Sequence, residues 1–122
     1  MSAVDWTTSF TTAIDTMDIE QLLPFFREDA VFTYGNNPPM EGHEGIRAGI
    51  GYFFQGIAGI SHTVPNVVEG DGGELVVEFL TTYTRHDGNA VTLPGIGAFD
   101  FDDAHLIRDY RVYADVTPVF AP

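Results

Sequence analysis

The chain contains no cysteine and very little positive charge. Without cysteine it forms no disulfide and has no thiolate nucleophile, and cysteine usage gives no clue to the cellular compartment. Its five positive side chains are all Arg, against 18 acidic residues, which gives a formal net charge of −13. Such an acidic surface disfavours binding to nucleic acid or to an anionic membrane. Small neutral or cationic molecules remain as ligands.

Long apolar runs are also absent. No segment approaches the roughly 20 apolar residues that a membrane span requires. The N-terminus has no basic region followed by an apolar stretch, so we expect a cytoplasmic protein. There is no linker, repeat or low-complexity tract, and 122 residues with 44% hydrophobic content are typical of one globular domain. We therefore expect residues 1–122 to form a single domain.

Helical spacing of apolar residues is the main pattern of the first half. A first helix starting near Asp5 is indicated by Trp6, Phe10, Ala13, Ile14 and Met17. Asp18 is placed to cap a short second helix that carries Ile19, Leu22 and Leu23. A third helix is indicated by Ile46, Ile50, Phe53, Phe54 and Ile57. Because five glycines lie in or beside this third helix, it is intrinsically weak and must be held by packing.

The second half has the pattern of an antiparallel meander. One strand is predicted at residues 30–34, before a loop rich in Asn and Pro. Four further strands are predicted at residues 61–68, 74–85, 90–101 and 106–116. The turns between them are predicted at residues 70–73, 87–89 and 102–104.

Alternation along the strands predicts which side chains share a face. One side of the second long strand carries Leu75, Val77, Phe79, Thr81 and Tyr83. The apolar side of the last strand carries Tyr110, Val112, Ala114 and Val116. The opposite side of that strand carries Asp109, Arg111, Tyr113 and Asp115. We therefore expect an almost uncharged concave face, with the charges outside in an ion pair or a subunit contact, unless a β-bulge reverses the alternation.

Three stretches resemble one superfamily. Residues 34–39, Tyr-Gly-Asn-Asn-Pro-Pro, with Gly-His-Glu-Gly-Ile at 42–46, resemble the Tyr-x-Asn loop and helix start of limonene epoxide hydrolase. Residues 83–88 with 91–94, and residues 110–115, resemble SnoaL-like polyketide cyclase relatives of the nuclear-transport-factor-two (NTF2) superfamily. The resemblance implies an α+β fold, in which a curved, mostly antiparallel sheet wraps around three N-terminal helices and encloses one apolar pocket.

The same resemblance bears on chemistry. Phe79, Thr81 and Val112 stand where an epoxide-hydrolysing relative would carry its catalytic Arg, Asp and Asp. A two-carboxylate mechanism needs acids on the pocket face. We therefore expect no epoxide hydrolysis.

His62 is the strongest candidate for proton transfer, because an ordinary imidazole titrates near pH ~6.5. Its position at the start of a strand resembles that of the active-site His in scytalone-dehydratase-like members of the superfamily. The alternative is a structural His whose ring is satisfied by the backbone or by a neighbour such as Asn66. Both interpretations remain open at this stage.

Tyr34 and Asn36 form the second candidate pair, because a phenol and an amide at a strand end can bind a carbonyl or hydroxyl group. Asn36 would orient the substrate, although Asn-Asn-Pro-Pro is also ordinary turn sequence. Tyr83 suits a pocket rim. The predicted substrate-binding residues are Asn36, Phe54, Phe79, Thr81, Tyr83, Tyr110 and Val112.

No metal or cofactor site is predicted. Asp100, Asp102, Asp103 and His105 straddle a hairpin turn, which scatters their side chains and indicates a solvated turn. The Gly95–Gly97 segment lacks the context of a phosphate loop and indicates a bulge or a close backbone approach. His43 and His86 are expected at the surface.

Two classes of function remain. One is a cofactor-independent isomerase, cyclase or dehydratase that acts on a hydrophobic carbonyl or hydroxyl compound, similar in style to ketosteroid isomerase or scytalone dehydratase, with His62 as base and Tyr34 as hydrogen-bond donor. The other is a noncatalytic ligand-binding or dimerisation domain of the same fold, since one scaffold hosts many functions. The polar, aromatic outer face and the superfamily resemblance also predict a homodimer.

Overall fold

Six strands form one curved, unclosed sheet in the computed structural model, which describes residues 2–122. The strands are β1 (Phe26–Tyr34), β2 (Met40–Glu41), β3 (Gly59–Glu69), β4 (Leu75–Thr84), β5 (Ala90–Phe101) and β6 (Ile107–Tyr113). Across the sheet they follow the order β2-β1-β6-β5-β4-β3. All neighbours are antiparallel except β1 and β6, which are parallel. The predicted α+β class with a mostly antiparallel sheet is confirmed.

The helices pack on this sheet. They are α1 (Ala3–Asp15), α2 (Ile19–Leu22), α3 (Gly42–Gln55) and α4 (Thr117–Phe120), with a 3-10 turn at Leu23–Phe25. The predicted cap of α2 is confirmed, because a carboxylate oxygen of Asp18 accepts from the Glu20 backbone N–H at 3.0 Å. Met17 lies beyond the end of α1 with a φ of 58°, so its helical spacing is coincidental. Among the described residues, no helix is long and apolar enough to cross a membrane.

Several predicted boundaries differ from the observed ones. β1 begins at Phe26, four residues earlier than predicted, and the two-residue strand β2 is an addition. The last strand ends at Tyr113, and the chain then turns into α4, with a carboxylate oxygen of Asp115 accepting from the Thr117 N–H at 3.0 Å in the turn. Short elements of this kind are set by tertiary contacts, which a local pattern does not record.

The predicted faces of the sheet hold despite a bulge. The alternating residues of β4 from Leu75 to Tyr83 are buried. The register between β5 and β6 shifts where Asp100 faces Asp109 and Phe101 faces Ile107. Since the irregularity lies before Asp109, the later alternation is unaffected. Arg111 pairs with Asp100 at 3.1 Å and with Asp109, so the ion-pair interpretation of these charges is confirmed.

An aromatic cluster joins α1 to the sheet. Phe10 is fully buried, and its ring contacts those of Phe99 and Tyr110 edge to face, with centroids 5.2 and 5.5 Å away. Phe99 and Tyr110 stack on each other at 4.1 Å. Burial of a Phe side chain stabilises a fold by about 1.5–3 kcal/mol. The cluster therefore fixes α1 across the concave face and leaves a space beside it.

Candidate functional site

That space is a cavity of about 820 Å³ between the concave face of the sheet and helices α1, α3 and α4. Its lining is mainly aliphatic and aromatic. Both side chains predicted to be catalytic, His62 and Tyr34, lie along it. So do the predicted ligand-binding residues Phe54, Phe79, Thr81, Tyr83, Tyr110 and Val112. The volume is that of a site for a molecule of several fused rings.

Asn36 is the predicted residue that does not line the cavity. Gly35 has a φ of 55°, which turns the chain so that Asn36 is exposed. Its neighbours Asn37 and Pro38 line the cavity instead. The Asn37 amide donates to the Tyr34 carbonyl oxygen at 2.9 Å and so closes the turn. The structure therefore places Asn37, and not the predicted Asn36, along the cavity.

His62 lies on β3 opposite Thr81 of β4, so both side chains are on the concave face. Its Nδ1 lies 2.6 Å from Oδ1 of Asp15, and its backbone N–H donates to Oδ2 of the same carboxylate at 3.1 Å. The imidazole packs edge-on against Phe79 at 5.4 Å, and only 9% of the His62 side chain is exposed. The ring is therefore held by one carboxylate on one side and by one aromatic side chain on another.

The Asp15 carboxylate determines which ring nitrogen of His62 carries the proton. A carboxylate accepts from the protonated ring nitrogen, so it favours the tautomer with the proton on Nδ1. Among residues 2–122, no hydrogen bond to Nε2 is found, so Nε2 is the ring nitrogen left free to take up a proton, and the His62 side chain lines the cavity. The partner of the ring is Asp15 and not Asn66, so the structural alternative, a His held by a neighbouring side chain, stays open.

Asp15 is the residue that sequence reasoning missed. It is 47 positions from His62, and nothing local links the two. One signal was present, since Asp15 is an acid in the last turn of α1, where the negative end of the helix dipole disfavours it. A carboxylate at an unfavourable position requires a compensating partner.

Three tyrosines form the other polar part of the cavity. Burial raises the pKa of the Tyr34 phenol far above its usual value, and the neighbouring Tyr83 hydroxyl raises it further. Burial also raises the pKa of Tyr83 and of Tyr110. All three phenols therefore keep their protons at neutral pH, and the Tyr34 and Tyr83 hydroxyls interact with each other.

Gly97 allows Tyr110 and Phe79 to approach the backbone of β5. A Cβ at position 97 would lie 2.8 Å from Cε1 of Tyr110 and 2.9 Å from Cε2 of Phe79. The interpretation of the Gly95–Gly97 segment as a close backbone approach is therefore confirmed at Gly97. The two rings pack over it and shape the centre of the cavity wall.

The cavity mouth is bordered by α4 and the end of α3. Phe120 of α4 packs on Phe53 of α3 with ring centroids 5.8 Å apart. The Arg85 guanidinium donates to the carbonyl oxygens of Pro118 at 3.3 Å and Val119 at 2.9 Å, which ties α4 to the sheet. At the mouth, Tyr52 is 80% exposed and Phe120 is 51% exposed.

The remaining histidines and acids have structural roles. Asp102 Oδ1 accepts from the backbone N–H groups of Ala104 and Leu106, while His105 stacks on Phe101 at 4.3 Å. In the part of the chain that the structure describes, no three acidic or His side chains are grouped to hold a metal. His43 is half-buried, not at the surface as predicted, because its Nε2 lies 2.9 Å from the Phe26 carbonyl oxygen.

Comparison with known proteins agrees with the fold. The model of the SnoaL-like domain matches residues 7–110, so the chain belongs to the SnoaL-like domain family. No protein of curated function matches the sequence.

Solved structures resemble this one closely at low sequence identity. An NTF2-like protein from Exiguobacterium sp. 255-15 has a TM-score of 0.76 at 16% identity, covering 89% of this chain and 97% of its own. TerC, co-crystallised with polyporic acid, has a TM-score of 0.81 at 16% identity, with coverages of 96% and 94%. SalBIII, an epoxide hydrolase/cyclase-like enzyme of pyran ring formation in salinomycin, has a TM-score of 0.80 at 14% identity, with coverages of 93% and 91%. At these identities the likeness establishes the fold and leaves the reaction open.

Proposed function

We propose that the protein binds an uncharged hydrophobic carbonyl or hydroxyl compound and catalyses a cofactor-independent proton transfer on it, as an isomerase, cyclase or dehydratase. The observation that carries the proposal is the His62–Asp15 pair, in which Nδ1 contacts the carboxylate and the His62 side chain lines a largely apolar cavity. A carboxylate behind an imidazole stabilises the imidazolium that forms when the ring takes up a proton. A purely ligand-binding wall has no need of such an arrangement.

In the proposed step, Nε2 of His62 removes a proton from a carbon next to a substrate carbonyl group. The electron pair of the broken C–H bond moves toward the carbonyl oxygen, and the phenol of Tyr34 or Tyr83 donates a hydrogen bond to the negative charge that develops there. The imidazolium then returns its proton to another carbon in an isomerisation, or to a departing hydroxyl group in a dehydration. Because the phenols stay protonated, they act as donors throughout.

The ligand class follows from the lining. Within the described chain, the cavity is lined by no Arg, Asp or Glu side chain, and Asp15 lies behind His62. A charged substrate would lose its hydration without a partner of opposite charge. The co-crystal of TerC with polyporic acid and the ring-forming activity of SalBIII, in proteins of the same fold, support a cyclic oxygen-bearing compound.

The test uses 2-tetralone, an uncharged bicyclic ketone with acidic protons next to its carbonyl group. In D₂O the protein should accelerate exchange of these protons, and His62→Ala should abolish that acceleration. Binding is measured in parallel as a thermal shift for tetralones, terpenoid ketones and steroids. Stabilisation without any proton exchange would favour the noncatalytic ligand-binding alternative, whereas no stabilisation by any neutral compound would refute both.

We also propose that the protein does not hydrolyse epoxides. Phe79, Thr81 and Val112 leave the cavity wall without a carboxylate and Arg set at these positions. His62 could still activate water, which the sequence did not indicate, but burial raises the pKa of Tyr34 and makes it a poor acid toward an epoxide oxygen. Enzyme-dependent diol formation from limonene oxide would contradict this proposal.

A homodimer in the cytoplasm completes the proposal. The convex face of the sheet exposes Val76, Leu80 and Ile96, each 41% accessible, together with Tyr113 at 57%. A group of exposed apolar side chains on a sheet face is typical of an interface. Light scattering at micromolar concentration should give twice the mass of 13.4 kDa. A monomer at that concentration would rule the dimer out.

A further inference from the structure

A second cavity lies on the other side of His62. It is a groove of about 570 Å³ between α1 and β3, lined by Thr7, Thr8, Thr11 and Thr12 of α1 and by residues 64–67 of β3. Asp15 lines this groove and does not line the main cavity, whereas His62 lines both. The His62–Asp15 pair is therefore the partition between an apolar chamber and a polar groove.

The groove side of the pair is accessible to water. The Asp15 side chain is 29% exposed, against 9% for His62. Thr8, Thr12 and Asn66 are exposed at the groove. The hydroxyl protons of Thr8 and Thr12 are donated to carbonyl oxygens of α1 at 3.0 and 2.7 Å, which leaves their oxygen lone pairs free to accept from water.

The two ring nitrogens of His62 thus face different surroundings. Nδ1 contacts the carboxylate of Asp15, which lines the groove and not the main cavity, whereas Nε2 has no hydrogen bond within the described residues. From Phe79 and Thr81 of β4 the ring meets only uncharged side chains, and Asp15 of α1 is the charged group beside it. When a ligand fills the main cavity, the groove is the side on which both His62 and Asp15 still border a second cavity.

We propose that the threonine-lined groove is a solvent route through which the Nδ1 side of the His62–Asp15 pair exchanges protons with bulk water. The purpose of the route rests on the proposed function: return of the proton to the product needs no route, whereas incorporation of hydrogen from solvent requires the His62–Asp15 pair to exchange protons with bulk water. Its physical existence is independent of turnover.

The proton balance is as follows. When Nε2 takes a proton from the substrate, the ring carries protons on both nitrogens. The Nδ1 proton can then pass to a carboxylate oxygen of Asp15 and on to a water molecule in the groove, which leaves a neutral ring protonated on Nε2. The reverse sequence returns a proton from the groove to Nδ1 as Nε2 gives its own proton to the product. No oxidant, metal or further reactant takes part.

The test measures exchange of the His62 Nδ1 proton with water by NMR on ¹⁵N-His protein without ligand. Thr8→Leu/Thr12→Leu should cover the groove and slow this exchange by about tenfold or more, because exchange requires solvent access. Both positions are exposed, so the fold should be retained, and the amide spectrum verifies it. Thr12→Leu alone should slow the exchange by a smaller factor, because one Leu side chain covers less of the groove than two.

The matched control is Ser9→Leu, which places the same side chain on an exposed position of α1 outside the groove lining. It should leave the exchange rate unchanged. A Nδ1 signal that is broadened in the unmodified protein and sharp in the double variant would support the route. Equal exchange in the unmodified protein and the folded double variant would overturn it.

The NMR measurement of proton exchange and the measurement of 2-tetralone deuteration test the two proposals separately. Unchanged exchange together with His62-dependent deuteration of 2-tetralone would refute the groove route and leave the proposed function standing. Slowed exchange without any turnover would leave the groove as a solvent route beside a noncatalytic pocket.

Discussion

The two walls of the cavity differ in both chemistry and construction. The sheet wall carries His62, Thr81 and the tyrosines at positions 34, 83 and 110, whereas the polar lining residues of the helical wall are Tyr52 and Gln55 of α3. The helical wall, formed by α3 and α4, presents aromatic and aliphatic side chains with glycines between them. The groups assigned to proton transfer are thus fixed on hydrogen-bonded strands, and the side with little intrinsic stability borders the mouth.

This division has a physical reason. Proton transfer requires donor and acceptor atoms to be held at hydrogen-bond distance, which a sheet with paired strands provides. Entry of a hydrophobic molecule requires the opposite property, a segment that moves at low cost. α3 is suited to this because glycine lowers helix stability by about 1 kcal/mol per residue relative to Ala. We therefore expect substitutions on the sheet wall to change the rate of proton transfer, and substitutions on the helical wall to change the free energy of unfolding and the rate of ligand entry.

The largest expected effect is on the sheet wall. His62→Ala should lower the rate of 2-tetralone deuteration by about 10²- to 10⁴-fold, the usual contribution of a general base. His86→Ala is the matched control, since His86 is exposed and contacts only the Gln55 carbonyl oxygen at 2.8 Å. Equal losses of turnover and of thermal stability in His62→Ala would identify His62 as structural.

Much of this sheet wall could be predicted from the sequence. The alternation in β4 and β6 placed Phe79, Thr81, Tyr83, Tyr110 and Val112 on the concave face, because the period of two along a strand is a local property. β5 was predicted with the observed bounds, since turn residues flank it on both sides. The parallel pairing of β1 with β6 is long-range, and residue alternation alone does not specify it.

The missing parts of the site depend on long-range geometry. Asp15 belongs to a helix whose alignment with β3 is decided by packing of Trp6 and Phe10, so no local pattern connects it to His62. Asn36 and Asn37 have nearly the same sequence context. Only the backbone turn at Gly35 determines which of them faces the cavity.

The second prediction concerns the buried phenols of the sheet wall. Below about pH 10 the folded and unfolded chains both retain these protons, so stability is unaffected. Above it the unfolded chain releases protons that Tyr34 and Tyr110 still hold, because burial raises the pKa of both. The free energy of unfolding should therefore fall by about 1.4 kcal/mol per pH unit for each phenol. Denaturant titrations between pH 9 and 12 measure how steeply the free energy of unfolding falls with pH. Tyr34→Phe should make this dependence shallower. An identical pH dependence in the variant would contradict the raised pKa of Tyr34.

The third prediction tests how tightly the sheet wall is packed. Gly97→Ala forces a methyl group to within 2.8 Å of the Tyr110 ring and 2.9 Å of the Phe79 ring, both of them buried. Overpacking of this kind costs about 1–3 kcal/mol. Urea unfolding should show that loss, together with a changed near-ultraviolet signal from Tyr110. Unaltered stability would mean that the two rings move apart easily and that the wall is not rigid.

The smallest effect is expected on the helical wall and has the opposite sign. Gly51 lies within α3, and a Cβ built there meets no atom within 4 Å, so Gly51→Ala should stabilise the protein by about 0.5–1 kcal/mol. Gly49→Ala is the matched variant in the same helix, where the Cβ would clash with the Met40 side chain at 2.3 Å and remove most of that gain. Urea unfolding measures both.

If the weakness of α3 serves access to the cavity, Gly51→Ala should also slow dissociation of a bound neutral ketone in stopped-flow displacement, while leaving the deuteration rate at saturation unchanged. A stabilised Gly51→Ala protein with an unaltered dissociation rate would show that the helical wall does not control entry, and the contrast between the walls would then be one of chemistry alone.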